Sequence, residues 1–249
     1  MSVAGVIPAR WASTRFPGKI LTPLCGKPLI EWVWQRAQAA TRLDHLLVAT
    51  DDSRIYQAVE SFGGRAVMTQ PDHPSGTDRI AEAVRDLNVD AVLNIQGDEP
   101  LIEPTLIDDL ARDIEAAEDW DMATAAAPIQ DVAQIAQSGI VKVVCDQRGQ
   151  ALYFSRAPIP FARDLEADPF DETLYLRHIG IYAYRREFLE KLVRTPPSRL
   201  ELTEKLEQLR ALHIGARIKV IVTTHTALGV DEPGDVALAE AALRQAGLA

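Results

Sequence analysis

Four short apolar runs, residues 3–7, 45–49, 65–68 and 91–95, are separated by segments whose apolar residues recur at helical spacing. Leu29, Ile30, Val33, Trp34 and Ala37 share one helical face. Ile55, Ala58, Val59 and Phe62 share another, and Ile80, Ala81, Val84 and Leu87 a third. Strands joined by single helices must run parallel, and right-handed crossovers then place helices on both faces of the sheet. The alternation therefore predicts an α/β fold with a Rossmann-like, doubly wound, mostly parallel sheet. A chain of 249 residues is long enough to give that sheet a large core within one domain.

The second half is patterned differently. Residues 141–146 and 150–155 read as two strands turning at Gly149, and a loop rich in Pro and Asp follows over residues 158–171. A strand over 179–184, a helix over 201–212, a strand over 217–222 and a final helix after Asp235 complete the expected elements. In the helix the buried positions are Leu202, Leu206, Leu209 and Leu212. Residues 129–177 read as a β-hairpin insertion, or flap, within a single domain spanning 1–249.

Charge narrows the partners. The net charge of -10 disfavours nucleic acid and anionic membranes, which call for a basic surface. No run approaches the roughly 18 apolar residues of a spanning helix. Cys25 and Cys145 have no metal-ligand spacing and suggest no disulfide framework, so a reduced, cytoplasmic setting is expected.

In a doubly wound sheet, ligands bind beyond the carboxyl ends of the strands. Each predicted strand here ends in a polar cluster. The first is followed by Pro8, Ala9, Arg10, Arg15 and Lys19, and the second by Thr50, Asp51 and Asp52. The third leads to Ser75-Gly76-Thr77-Asp78-Arg79 and the fourth to Gln96-Gly97-Asp98-Glu99-Pro100. The first cluster is a basic island in an acidic chain, suited to a nucleoside triphosphate. It lacks the Gly-Lys-Ser/Thr close of a P-loop, so it must hold phosphates another way.

Asp98 reads either as a helix cap or as a Mg²⁺ ligand, and its place at the rim favours the ligand. Thr77 reads as the N-cap of the following helix, with Gly76 exposing backbone groups suited to a nucleobase edge. Arg156, His178 and Tyr182 lie beside aromatic strand residues. His178 and Tyr182, four apart, would share a strand face. Glu207 and Gln208 fall on the polar side of the predicted helix. Asp231, just ahead of Pro233, suits a cap or a site, and spacing does not choose between them.

Taken as an ordered set, these stretches resemble the 3-deoxy-manno-octulosonate (Kdo) cytidylyltransferases over essentially the whole chain. The matching segments also include Gly26-Lys27-Pro28, Ala151 to Arg156, Arg177 to Tyr182, Leu206 to Arg210 and Gly229 to Pro233. The resemblance implies a nucleotidyltransferase fold. It also implies transfer of CMP from CTP to the anomeric hydroxyl of Kdo, with release of pyrophosphate, for lipopolysaccharide core synthesis. It assigns Arg10, Lys19 and Asp98 to catalysis. Pro8, Ala9, Arg10, Arg15, Lys19, Ser75, Gly76 and Arg79 would bind CTP, and Asp98 and Asp231 would hold Mg²⁺. Gln96, Arg156, His178, Tyr182, Glu207 and Gln208 would bind the sugar acid. A homodimer packed through the hairpin and its following loop is implied as well.

Residues 200–205 and 160–173 diverge from the commoner family pattern, which leaves the 8-amino analogue of Kdo as an alternative substrate. Three rival readings make different predictions. A sialic acid activator would share the first loop but not the segment from Arg177 to Tyr182. A nicotinamide oxidoreductase would need a Gly-x-Gly-x-x-Gly turn, which is missing. A nucleotide-binding regulator would have no use for Asp231 or the sugar-side residues.

Overall fold

A computed structural model describes the chain except for residues 13–15, 117–118, 164–173 and 226–227. The chain divides into two compact units, Met1–Arg112 with Ala227–Ala249, and Asp113–Thr226.

The strands of the first unit are β1 (Val3–Ala9), β2 (Pro23–Leu24), β3 (Lys27–Pro28), β4 (His45–Thr50), β5 (Ala66–Met68) and β6 (Ala91–Asn94). Its helices include α1 (Leu29–Gln38), α2 (Ser53–Ser61) and α3 (Gly76–Ala83), and α4 (Pro104–Ala116) follows. The four strands predicted from the apolar runs are all present and pair in the order β6-β1-β4-β5, every pair parallel. Their sequences explain this. Val3, Ala4, Val6, Ile7, Ala91, Val92 and Leu93 are fully buried, as strands covered on both faces must be. The predicted apolar face of α1 is buried throughout. The small ribbon β2–β3 is antiparallel.

The helix caps refine the sequence reading. Asp52 caps α2 by accepting a hydrogen bond from the Arg54 backbone N–H at 2.9 Å. Thr77 does not cap α3. Ser75 does, its Oγ accepting from the backbone N–H of Thr77 at 3.1 Å and of Asp78 at 3.2 Å. Thr77 is instead buried. Two hydroxyls two residues apart in one turn gave the sequence no means to rank them.

The second unit holds β7 (Met122–Pro128), α5 (Val132–Ile135), β8 (Lys142–Cys145), β9 (Ala151–Ser155), β10 (Leu176–Arg185), α6 (Arg186–Arg194), α7 (Arg199–Glu204), α8 (Gln208–His213) and β11 (Ile218–Val222). The C-terminal helix α9 (Asp235–Gln245) belongs to the first unit. Within the second unit β11 runs parallel to β7, β7 antiparallel to β10, β10 antiparallel to β8, and β8 antiparallel to β9. The expected hairpin is β8–β9. Gly149 in its turn has φ +76°, and an added Cβ would lie 2.9 Å from Lys219 Nζ and 3.2 Å from the Val220 carbonyl oxygen. Only glycine lets the turn sit against β11, where Val220 N–H donates to the Gly149 carbonyl at 2.8 Å.

The segment 129–177 contains α5, β8, β9 and the start of β10. Residues 164–173 of its long loop lie outside the described residues. Lys142 holds the described part together. It is fully buried, and its ammonium donates to the carbonyls of Gln137 (3.1 Å), Ile140 (2.6 Å) and Arg156 (2.6 Å).

One predicted element is divided. The single helix expected over 201–212 is two short helices broken at Lys205, which takes a left-handed conformation with φ 54°. The break turns Leu202 outward, 54% exposed, while Leu206 and Leu209 stay buried. A buried ion pair explains why the fold keeps a conformation that non-glycine residues avoid. Glu201 receives Arg210 through Nε at 2.9 Å and Nη2 at 2.5 Å, joining the two helices. The same Glu201 completes a capping box with Ser198.

Candidate active site

In the first unit the site begins where β1 ends. Pro8 and Ala9 are the last residues of the strand and Arg10 is the first beyond it. Trp11 then stacks against the Arg54 guanidinium, 3.4 Å from the ring centroid. Gly18 returns the chain with φ +74°, its N–H donating to the Trp11 carbonyl at 2.9 Å, and a Cβ there would lie 3.0 Å from the indole ring. A short 3₁₀ turn, Lys19–Leu21, starts at once and fixes where Lys19 stands. Arg15 lies outside the described residues.

The Lys19 ammonium bridges two carboxylates, Asp98 Oδ2 at 2.6 Å and Asp231 Oδ1 at 3.0 Å. Asp98 follows β6 through Gly97, where a Cβ would lie 3.1 Å from the Pro8 carbonyl oxygen. The absent side chain lets the Asp98 loop close on the end of β1. Asp231, remote in sequence, is brought in by its own backbone. Val230 N–H donates to the Asp98 carbonyl at 2.9 Å. The backbone N–H groups of Asp231 and Glu232 both donate to Asp235 Oδ2, at 2.9 and 2.8 Å. Burial opposes charge on Lys19, but the pull of Asp98 and then Asp231 outweighs it and the lysine pKa is raised.

Two carboxylates sharing one cationic nitrogen are a donor set that suits Mg²⁺. Such an ion takes one or two carboxylates and completes its shell with phosphate oxygens and water. Among the described residues no cluster of three or more His, Cys, Asp or Glu side chains is placed to hold a metal ion. Gln96, earlier in the same loop, donates to Asn94 Oδ1 at 3.4 Å.

Ser75 and Gly76 stand beside the strand end, and a Cβ on Gly76 would lie 3.5 Å from Pro8 Cγ. Arg79 is fully buried. Its guanidinium meets Thr69 Oγ1 at 2.5 Å and Asp51 Oδ2 at 2.9 Å, which makes it a brace for the loop carrying Ser75 and Gly76.

The remaining predicted residues gather in the second unit, on β9, β10 and the α7–α8 segment. His178 and Tyr182 do share a face, but not by regular strand geometry. Four residues of ordinary strand would separate them by about 13 Å, whereas their ring centroids lie 5.5 Å apart. The pairing with β7 skips Gly180 and Ile181, so that Ile179 opposes Ala125 and Tyr182 opposes Thr124. Two bulged residues preserve the alternation of sides while shortening the distance. Phe154 presents an edge to His178 at 5.0 Å, and Tyr184 continues the row 5.9 Å from Tyr182.

The polar ends of this row are held from behind. Tyr182 Oη donates to Gln208 Oε1 at 3.2 Å, which leaves the Gln208 NH₂ as the donor end. Burial, and then the Glu207 carboxylate, push the Tyr182 pKa upward. Arg156 is oriented by backbone carbonyls, with Nε to Glu204 at 2.7 Å, Nη1 to Ser138 at 3.0 Å and Nη2 to Lys205 at 3.4 Å. Glu204 also accepts from Ser155 Oγ at 2.7 Å and the Arg156 backbone N–H at 2.9 Å. Sequence reasoning passed over Glu204 because an acidic residue near a helix end reads as solvated surface.

His178 is half-buried, and desolvation of its ring within the fold brings its pKa down to about 3. The ring is neutral near pH 7. In the unfolded chain a histidine protonates near pH 6.5, so between the two values the folded state binds fewer protons. The resulting stability is fully present above about pH 6.5 and falls by about 1.4 kcal/mol per pH unit toward pH 3. Urea midpoints taken from pH 7 down to pH 4 should show this loss, and His178→Asn should flatten it. Parallel curves for the two proteins would mean that the imidazole is not held neutral.

A parallel nucleotide-binding sheet with a lysine and two carboxylates at its carboxyl rim belongs with the nucleotidyltransferases. The cytidylyltransferase family model matches residues 4–218. More narrowly, the chain belongs to the 3-deoxy-manno-octulosonate cytidylyltransferase family. It is 47% identical to the protein of that name from Geobacter sulfurreducens, over 95% of this chain and 97% of that one. Its identity to the Solibacter usitatus protein is 48%, over 94% and 91% of the two chains. The solved structure of CMP:2-keto-3-deoxy-manno-octonic acid synthetase complexed with CTP superposes with a TM-score of 0.93 at 41% identity, covering 99% of this chain and all of that one. A cytidylyltransferase from Leptospira borgpetersenii, 17% identical with a TM-score of 0.67, shares the fold.

Proposed function

We propose that this chain transfers CMP from CTP to the anomeric hydroxyl of Kdo, forming CMP-Kdo and pyrophosphate for lipopolysaccharide core assembly. The observation that carries the reading is the convergence of Lys19, Asp98 and Asp231 at the carboxyl end of β1 and β6. Membership of the family and the fit to a structure complexed with CTP support it.

The anomeric oxygen attacks the α-phosphorus, the bond to the bridging oxygen of the β-phosphate breaks, and the hydroxyl proton leaves to solvent. Such a transfer is catalysed by positioning and charge, with little covalent help from the protein. Arg10 and Lys19 hold the triphosphate and offset charge on the departing pyrophosphate, with Arg15 on the same loop. The backbone of Pro8, Ala9, Ser75 and Gly76 reads cytosine and ribose, and Arg79 keeps that loop in place. Asp98 and Asp231 would hold Mg²⁺, which lowers the pKa of a coordinated hydroxyl and neutralises phosphate charge when bound. Engagement of Lys19 with phosphate would free both carboxylates for that role.

Gln96, Arg156, His178, Tyr182, Glu207 and Gln208 bind the sugar acid. Arg156 suits its carboxylate. The neutral His178, Gln208 and Glu207 suit a polyol. Exposed Leu152 and Phe161, on the hairpin and the loop beyond it, support a homodimer formed through this segment. A reaction that consumes CTP fits a cytoplasmic setting. Among the described residues no helix is long and apolar enough to cross a membrane.

Pyrophosphate release with CTP and Mg²⁺ tests the reading, comparing Kdo, its 8-amino analogue and sialic acid. Fastest release with Kdo is expected. Faster release with the amino analogue would change the assigned sugar. Release with sialic acid alone, or CTP binding with no release, would overturn the proposal.

A further inference from the structure

We infer that Thr124 is a positioning residue for sugar binding: its hydroxyl sets both the orientation and the tautomer of His178, leaving Nδ1 as a hydrogen-bond acceptor. The inference rests on the proposed role of His178 toward the sugar acid and adds a residue from a different strand.

Thr124 is fully buried on β7, where it opposes Tyr182 at the edge of the two-residue bulge of β10. Its Oγ1 lies 2.8 Å from the Ile181 carbonyl oxygen, 3.2 Å from the Ile179 carbonyl oxygen and 2.9 Å from His178 Nε2. A threonine hydroxyl has one proton to give. Both carbonyls can only accept, and they stand at the register shift between Ile179 and Tyr182. The imidazole nitrogen is the one partner able to act either way. All contacts are satisfied in a single arrangement: the hydroxyl proton points to the carbonyls, the nearer being Ile181, and its lone pair accepts Nε2–H from His178.

A neutral imidazole with its proton on Nε2 carries its lone pair on Nδ1. Phe154 and Tyr182 flank the ring and leave it little room to turn over. Desolvation also removes the doubly protonated form, as the depressed His178 pKa indicates. Thr124 thus makes His178 a receiver of hydroxyl protons, which is the role a polyol substrate requires of a neutral base. The sequence Met122-Ala123-Thr124-Ala125-Ala126-Ala127 carries no other side chain that could do this.

Nitrogen-15 NMR on the intact protein reads the tautomer directly, because protonated and bare imidazole nitrogens differ widely in chemical shift. The wild-type protein should show His178 protonated at Nε2 and bare at Nδ1. The opposite pattern overturns the proposal without any variant. Thr124→Val keeps the side-chain shape but removes the hydroxyl, and Thr124→Ser restores it. Thr124→Val should disturb the His178 signals and raise KM for Kdo about tenfold, the worth of one good hydrogen bond. KM for CTP should not change, and Thr124→Ser should stay near wild type. Equal loss toward both substrates, or Thr124→Ser no better than Thr124→Val, would show that Thr124 only supports the strand. His178→Gln separates the two layers of the argument. If it leaves KM for Kdo unchanged, the sugar role of His178 fails, while the NMR result still decides whether Thr124 sets the ring.

Discussion

Asp98→Asn should lower CMP transfer on the order of a thousandfold, the scale lost when charge on a transferring phosphoryl group is left unbalanced. The reasoning starts from the shared ammonium. Lys19 Nζ lies 2.6 Å from Asp98 and 3.0 Å from Asp231, so both carboxylates lie within reach of one small cation. Asparagine keeps the shape but supplies only a neutral oxygen, and Mg²⁺ favours anionic ones. The fold should tolerate the change, because Lys19 retains Asp231 and Asp98 is partly exposed. Pyrophosphate release measured beside a thermal melt separates the two effects. Chelation of the wild-type protein should mimic the loss, and added Mg²⁺ should reverse it. Near-normal turnover by Asp98→Asn in a folded protein would sink the metal assignment.

Arg210→Met should destabilise the protein by about 3–5 kcal/mol, the cost of leaving a buried charge without its partner. Glu201 and Arg210 are both buried and meet through two nitrogens, at 2.9 and 2.5 Å. The abandoned carboxylate would keep only the Ser198 backbone N–H, 2.9 Å away, among the described contacts. Neutralising both ends tests this explanation. Glu201→Gln with Arg210→Met should recover part of the loss in a urea titration, whereas additive losses would mean that the pair acts through packing alone. The consequence reaches the site, since the ion pair joins α7 to α8 and so holds Lys205, Glu207 and Gln208 in place.

Much of the first unit was legible because its local and global signals agree. Continuous apolar strands, amphipathic helices and polar strand ends all pointed to one sheet, and Lys19, Asp98 and Asp231 meet at its rim. The second unit was less readable for physical reasons. The run from Met122 to Pro128 is rich in alanine, a helix former by propensity, and becomes a strand only between β10 and β11. The leucine spacing from Leu202 to Leu212 implied one helix, but a long-range ion pair favours two and turns Leu202 outward. The bulge in β10 left no mark in residue spacing, because the count from His178 to Tyr182 fits a regular strand equally well. Thr124 was hidden for a related reason. A lone hydroxyl in an apolar run gains meaning only when its neighbours across the sheet are known.

The paired bulge gives β10 a reading frame. With Gly180 and Ile181 both present, His178, Tyr182 and Tyr184 lie on one side and the buried isoleucines on the other. Losing one of the two would shift the phase of everything downstream, sending the tyrosines toward the isoleucine side. Losing both would restore the phase but flatten the strand and draw the carbonyls away from Thr124. Length changes in this strand therefore matter by their parity before their size.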